Sequence, residues 1–303
     1  MQENINAGNR TTGRKDKTMT DTAYFGPGGN CEAFAARYRS KTIMAPQWVI
    51  ENGLDAYEYE AGRGIGASPE LFLAMGQEAA RLGVRMSFHA PYFISLSSTE
   101  REKRDNSIRY IADSLAAARL LGARIIVVPT GSTAKMARRA ALMLAAATVS
   151  RALEMLPDNG VLIGLETMGK VNQLGTLDEV IELCSMDTAR LAPVVDFGHL
   201  NARDCGGVFP DADAYKRLFD TIGEKLGDRH AKELHCHFSR IEYTTGGEKR
   251  HVTLADTAWG PDPEPLMRVL ADWHLTPTVI SESAGTQTAD AAYMKQVYQQ
   301  MRG

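Results

Sequence analysis

Five apolar runs, far apart in the chain, each end on an imidazole or a carboxylate. Met86-Ser87-Phe88 leads to His89, and Val161-Leu162-Ile163-Gly164-Leu165 leads to Glu166. Leu191 to Val195 ends on Asp196, with Gly198 and His199 just beyond. Glu233-Leu234 leads into His235-Cys236-His237-Phe238, and Thr278 to Ser281 ends on Glu282. Short apolar runs of this kind read as buried strands. An acid placed at the end of such a run is buried without a partner unless something positive meets it, and that is costly. Several such ends brought to one place would make a cation site.

The rest of the chain supplies the repeating unit. Candidate strands lie at Thr22–Phe25, Ala56–Glu60, Val84–His89 and Arg124–Val128, followed by runs reaching Glu166, Asp196, Phe238 and Glu282. Helical stretches alternate with them, among them one opened by Ser68-Pro69-Glu70 and closed by Gly83. Others are capped by Ser98 and by Thr176, and Ala134–Leu156 is rich in Ala, Met and Leu. A capping hydroxyl, Pro in the first turn and Gly past the end are ordinary helix boundaries. Eight β/α units in this length predict an α/β fold, a single (β/α)8 TIM barrel, with all strand carboxyl ends on one rim. The expected site is a divalent metal held at that rim. The stretch between Ser239 and Pro261 reads as a long polar loop.

Length alone would allow two domains, but a barrel of roughly 250 residues counts as one. Residues 1–18 are polar, with almost no apolar content, and read as a disordered leader before a catalytic domain over 19–303. The net charge of −3 does not suggest a protein that grips nucleic acid by bulk charge, although bound cations and a local basic loop lie outside that sum. The four cysteines form no C-x-x-C pair and no secretory segment opens the chain, so reduced thiols in a cytoplasmic protein are expected. No apolar run reaches the roughly 18 residues of a membrane span.

The donor set narrows the metal. Imidazoles with several carboxylates and no thiolate suit Zn²⁺, Mn²⁺ or Fe²⁺ at a catalytic site. His235 and His237 share one face of their strand, so one can ligate while the other supports it; His235 is the expected ligand and His237 is counted among the substrate-binding candidates.

The motifs H-A-P-Y-F-I-S-L (His89–Leu96), L-E-T-M-G-K (Leu165–Lys170) and V-D-F-G-H-L-N-A-R (Val195–Arg203) occur in order with H-C-H-F-S-R-I-E-Y (His235–Tyr243), G-E-K-R-H (Gly247–His251) and S-E-S (Ser281–Ser283). Together they resemble endonuclease IV, most closely its archaeal-type branch, over nearly the whole chain from Thr22. The resemblance implies a TIM barrel with a trinuclear zinc site that hydrolyses the phosphodiester 5′ to an abasic site in DNA. It implies a central metal on Glu166, Asp196, His235 and Glu282, with Glu166 bridging to a second metal on His89 and a third metal on His199 and His251. Tyr92 matches a residue beside the flipped-out abasic sugar, and Arg63 matches an inserted arginine.

Two positions depart from that pattern. The family has a His at the end of the fourth strand where this chain has Pro129, and an Asp two before the last His where this chain has Lys249. Each outer metal therefore lacks one ligand, unless Glu248 takes the second vacancy through a shifted loop. On this reading Glu166 orients the attacking hydroxide, and His199 and His251 stabilise the departing oxygen. Lys249 and Arg250 add positive charge near phosphate. The alternative is a sugar isomerase or epimerase acting on a sugar or sugar phosphate. There a single Mn²⁺ or Mg²⁺ would sit on Glu166, Asp196, His235 and Glu282, and the two Glu would shuttle a proton beside a carbonyl. A non-catalytic paralogue that binds DNA or a sugar phosphate ranks last.

Overall fold

The structure, a computed structural model, describes residues 22–303; the expected leader over 1–18 lies outside the described residues. Eight parallel strands form one sheet: β1 (Tyr24–Pro27), β2 (Ala56–Glu60), β3 (Arg85–His89), β4 (Ile125–Pro129), β5 (Leu162–Glu166), β6 (Leu191–Asp196), β7 (His235–Phe238) and β10 (Thr278–Ser281). The order runs β2 through β7 in sequence, then β10, then β1. A parallel bridge between Gly28 and Glu58 joins β1 back to β2, so the sheet closes into a TIM barrel. Closure depends on Gly26: a Cβ there would lie 1.7 Å from the Ala56 carbonyl oxygen. β1 can approach β2 this closely only where no side chain intervenes.

The period of two sorts the strand residues between the helical layer and the barrel interior. Tyr59 and Phe88 stack outward at 5.3 Å, against Phe72 of the helix Pro69–Leu82. The inward positions divide by chemistry. Ile125, Val127, Leu162, Ala192 and Val194 form an apolar cluster on the β4–β6 side. Glu58, Ser87, His235, His237 and Thr278, from β2, β3, β7 and β10, are buried polar residues. One half of the barrel interior is thus apolar, and polar side chains run along the other half.

Two local differences from the sequence expectation shape the rim. The stretch after β7 is not simply a loop: it folds into an antiparallel hairpin, β8 (Arg240–Thr244) and β9 (Gly247–Val252). The segment after Asp196 coils at once into the short helix Phe197–Arg203, whose amino end Asp196 caps by accepting from the His199 N–H at 2.7 Å. All four cysteines are free thiols, three of them buried. Among the described residues no helix is long and apolar enough to cross a membrane.

Candidate metal centre

At the carboxyl rim, Glu166, Asp196, His237 and Glu282 each offer a ligand atom, and these atoms lie within 4.8 Å of one another. They come from the ends of β5, β6, β7 and β10. A second group, Asp196, His199 and His251, lies beside the first and shares Asp196 with it. Ligand distances of about 2.0–2.2 Å to one cation need separations close to these. Sequence reading placed His235 in the central group; the structure places His237 there. His237 Nδ1 lies 3.1 Å from Glu166 Oε1 and 3.2 Å from Glu282 Oε1. His235 points lower in the barrel, its Nε2 2.8 Å from Glu58 Oε2. The two histidines share a strand face, but only the one nearer the strand's end reaches the rim.

Glu58 is the residue that sequence reading missed. It is fully buried at the centre of β2, with Oε1 2.8 Å from His237 Nε2. Burial alone would raise its pKa, but His237 and His235 outweigh that and hold it well below the usual carboxylate value. A carboxylate behind a ligating imidazole fixes the ring's orientation and leaves the other nitrogen for the metal. The signal was present in Ala56-Tyr57-Glu58-Tyr59-Glu60, where alternation sends both acids to one face. Glu60, nearer the open rim, groups with Glu58 and Glu282.

The other imidazoles are oriented in the same manner. His199 Nδ1 is 2.9 Å from the Thr167 carbonyl and His89 Nδ1 is 2.8 Å from the Ala90 carbonyl. A carbonyl only accepts, so Nδ1 carries the proton and Nε2 is left to ligate. His251 Nδ1 lies 2.8 Å from Ser239 Oγ. His89 Nε2 is 3.7 Å from Glu166 Oε2, which sets Glu166 between His89 on one side and His237 on the other.

The position of Glu248 follows from a β-bulge. Arg250 pairs with Glu242 and Glu248 with Tyr243, so Lys249 is the extra residue in β9. A bulge resets the alternation. Glu248 and His251 then face the same site: Glu248 Oε2 is 3.5 Å from His199 Nε2, and Oε1 is 4.0 Å from His251 Nε2. Lys249 and Arg250 turn instead onto Glu242, at 2.5 and 2.6 Å. A carboxylate three residues before His251 thus stands beside both imidazoles, where the resemblance implies one two residues before it. Pro129, in register with Glu166, brings no donor to the His89 side. Arg63 and Tyr92 stand on exposed neighbouring rim loops, joined by the Tyr92 N–H to the Gly62 carbonyl at 3.2 Å; Tyr92 is 64 % exposed.

The electrostatics suit a cation. Asp196 Oδ2 is buried without a hydrogen-bond partner, although Asp196 belongs to both groups. An orphaned carboxylate oxygen among further carboxylates is the environment a bound cation stabilises. Burial pushes Glu282 up to about 7, opposed by His237 and His251 and reinforced by Asp196 and Glu166. Burial would depress His199, but Asp196, Glu166, Glu248 and Glu282 raise it to about 9.

Fold and rim together define a barrel able to hold divalent metal at the carboxyl ends of its strands. Residues 46–296 match the family described as xylose isomerase-like TIM barrel, and the chain belongs to that family. It is 30% identical over 217 residues to an uncharacterized protein of Methanocaldococcus jannaschii, covering 71% of this chain and 77% of the relative. It is 25% identical over 217 residues to a probable endonuclease 4 of Acholeplasma laidlawii, covering 69% of each. Among solved structures it resembles a D-tagatose 3-epimerase-like protein, with a TM-score of 0.68 and 20% identity over 92% of this chain and 98% of the other. Endonuclease IV from Thermus thermophilus is similar to the same degree, at 0.67 and 20%, with the same coverage. These two likenesses show the shared fold.

Proposed function

We propose that this chain is a metal-dependent phosphodiesterase that cleaves DNA 5′ to abasic sites, in the manner of the endonuclease IV relatives. One observation carries the reading: the four-residue group and the Asp196, His199, His251 group stand side by side and share Asp196. A single-cation isomerase needs only the first group, whereas phosphodiester hydrolysis uses adjacent cations on both sides of phosphorus. Nitrogen and oxygen donors without thiolate suit Zn²⁺, with Mn²⁺ or Mg²⁺ as substitutes. Bound there, the metal would neutralise phosphate charge and lower the pKa of water.

The protein's own groups do the positioning. Glu166, held ionised against burial by His237 and His89, aligns the attacking water. His251, on the rim hairpin, meets the departing oxygen together with His199. Arg63 and Tyr92 reach the substrate from the two adjoining loops. Lys249 and Arg250 give the hairpin a positive outer surface for the DNA backbone. The test is incision of an oligonucleotide bearing one abasic site, with and without chelator. Chelator-sensitive incision is expected; a substrate left whole under Zn²⁺, Mn²⁺ and Mg²⁺ overturns the reading.

A second reading, a sugar epimerase or isomerase with one metal on Glu166, Asp196, His237 and Glu282, is favoured by Pro129. That residue leaves the His89 side of Glu166 one donor short of the nuclease pattern. Deuterium exchange from solvent into a ketose, with an abasic oligonucleotide left intact, would establish it.

A further inference from the structure

The opposite mouth of the barrel holds a second concavity. A cavity of about 330 Å³ opens there, lined among others by Arg85, Ser87, Arg124, Leu162, His235 and Thr278. Ile125, Leu162 and Ala192 of the apolar barrel half form one wall. The other wall is basic. Arg85, an inward residue at the start of β3, crosses the barrel floor: its Nη1 donates to Thr278 Oγ1 at 3.0 Å, and its guanidinium lies 3.5 Å over the Tyr24 ring.

The charges lining this cavity do not cancel. Its two carboxylates make their close contacts with other groups: Asp158 Oδ1 accepts from the Gly160 N–H at 2.8 Å, and Glu233 meets Arg229 at 3.6 Å, acting on Arg85 only at longer range. Arg190 donates to the Leu153 and Leu156 carbonyls. His230 Nε2 lies against the Thr188 carbonyl. Arg85 and Arg124 remain, and neither forms an ion pair among the described residues. Burial, and then the Arg124 charge, depress the Arg85 pKa, opposed by Tyr24 and by the Glu233 carboxylate, which lies beyond ion-pair distance of Arg85. Independently, Ser87 Oγ lines the same cavity, is buried, and has no hydrogen-bond partner. A buried hydroxyl left unpaired is unfavourable and marks a place for an acceptor.

We propose that this cavity is a binding site for a small oxyanion of the phosphate class, held by the Arg85 and Arg124 guanidinium groups and the Ser87 hydroxyl. Guanidinium forks match tetrahedral oxyanions, and charge-assisted hydrogen bonds are the strong ones. The volume lies at the lower end of small-molecule sites, which suits phosphate or a short phosphate monoester and excludes a nucleic acid. The site is independent of the rim chemistry, from which the buried Glu58, His235 and His237 side chains separate it.

The experiment is calorimetric titration of the full chain, as purified, with inorganic phosphate and separately with glycerol phosphate. One saturable site that persists after chelator treatment is expected, tighter for whichever form is the ligand. Arg124→Ala should weaken it about tenfold, equivalent to about 1.4 kcal/mol. Ser87→Ala should weaken it several-fold, while Glu282→Gln at the metal rim should leave it in place. Absence of saturable binding of either anion at millimolar concentration overturns the proposal, as does unchanged binding in Arg124→Ala. Loss of binding in Glu282→Gln would place the anion at the rim and overturn it equally. Should Ser87→Ala fail to fold, the exposed Arg124 position decides alone.

Discussion

Glu58 Oε1 and His237 Nε2 stand 2.8 Å apart in the closed interior of the barrel, joining a strand near the start of the chain to one near its end. The pair sets the histidine so that its other nitrogen faces Glu166 and Glu282. Glu58 is a positioning residue. Glu58→Gln keeps the shape but removes the charge, and metal affinity should fall by about 10–100-fold. Titration with a competing chelator measures it; affinity equal to the parent's would show that the carboxylate does not orient the ring.

The two histidines of β7 make opposite predictions. His237→Ala should remove the central metal, read by elemental analysis of the purified protein. His235→Ala leaves every rim donor in place and should retain that metal, at a cost in stability because Glu58 loses a buried partner. Equal metal loss in both variants would contradict the placement of His237 alone at the rim.

Gly169 admits Glu248 to the site. A Cβ there would lie 2.6 Å from Glu248 Cβ and 3.0 Å from His199 Cδ2. Gly169→Ala should therefore displace Glu248 from His199 and, on the proposed two-metal reading, weaken the second metal while sparing the first. Metal content should drop by one ion per chain; unchanged content and activity would show that the hairpin yields without consequence.

Metal uptake should release protons. Without metal, burial pushes Glu282 up to about 7 and the surrounding carboxylates raise His199 to about 9, so at neutral pH His199 carries an extra proton and Glu282 is about half protonated, and a cation must displace these protons. Apparent affinity should rise as pH increases from about 6 to 9, and calorimetry in buffers of different ionisation enthalpy should register the released protons. Affinity independent of pH across that range would contradict this charge state.

Glu179, in the helix Leu177–Cys184, closes a capping box with Thr176 and accepts two bonds from Arg138, at 2.5 and 2.7 Å. Burial would raise its pKa, but Arg138 and the Thr176 and Gly175 N–H groups outweigh that and lower it. A depressed carboxylate stabilises the fold above the unfolded value of about 4.3, and that contribution is lost as pH falls through the folded value. Glu179→Gln should cost about 1–3 kcal/mol at neutral pH. The gap to the parent should narrow below about pH 4, as followed by denaturant unfolding; a constant gap would remove the charge from the account.

The alternation of apolar runs with helices, each run ending on an imidazole or acid, was enough to predict the barrel and to bring Glu166, Asp196 and Glu282 to one rim. Those residues follow runs with a clear period, and a parallel sheet orders its strand ends by that period alone. The distinction between His235 and His237 was not legible, because both lie on one face and only strand stagger decides which reaches the rim. Nor was the access of Glu248, which depends on a bulge that one pairing register creates. Lys249 reads as a substitution of the site in one dimension, and becomes an outward extra residue in three.

Periodicity along the chain suffices to say which side chains the barrel turns inward, since side-chain direction is a local property of a strand. Which of them meet is settled only when the barrel closes. Glu58 lies 177 residues from His235 and reaches it only because β2 and β7 close around the same interior. Contact across a closed sheet depends on shear and register, which no short stretch of chain carries.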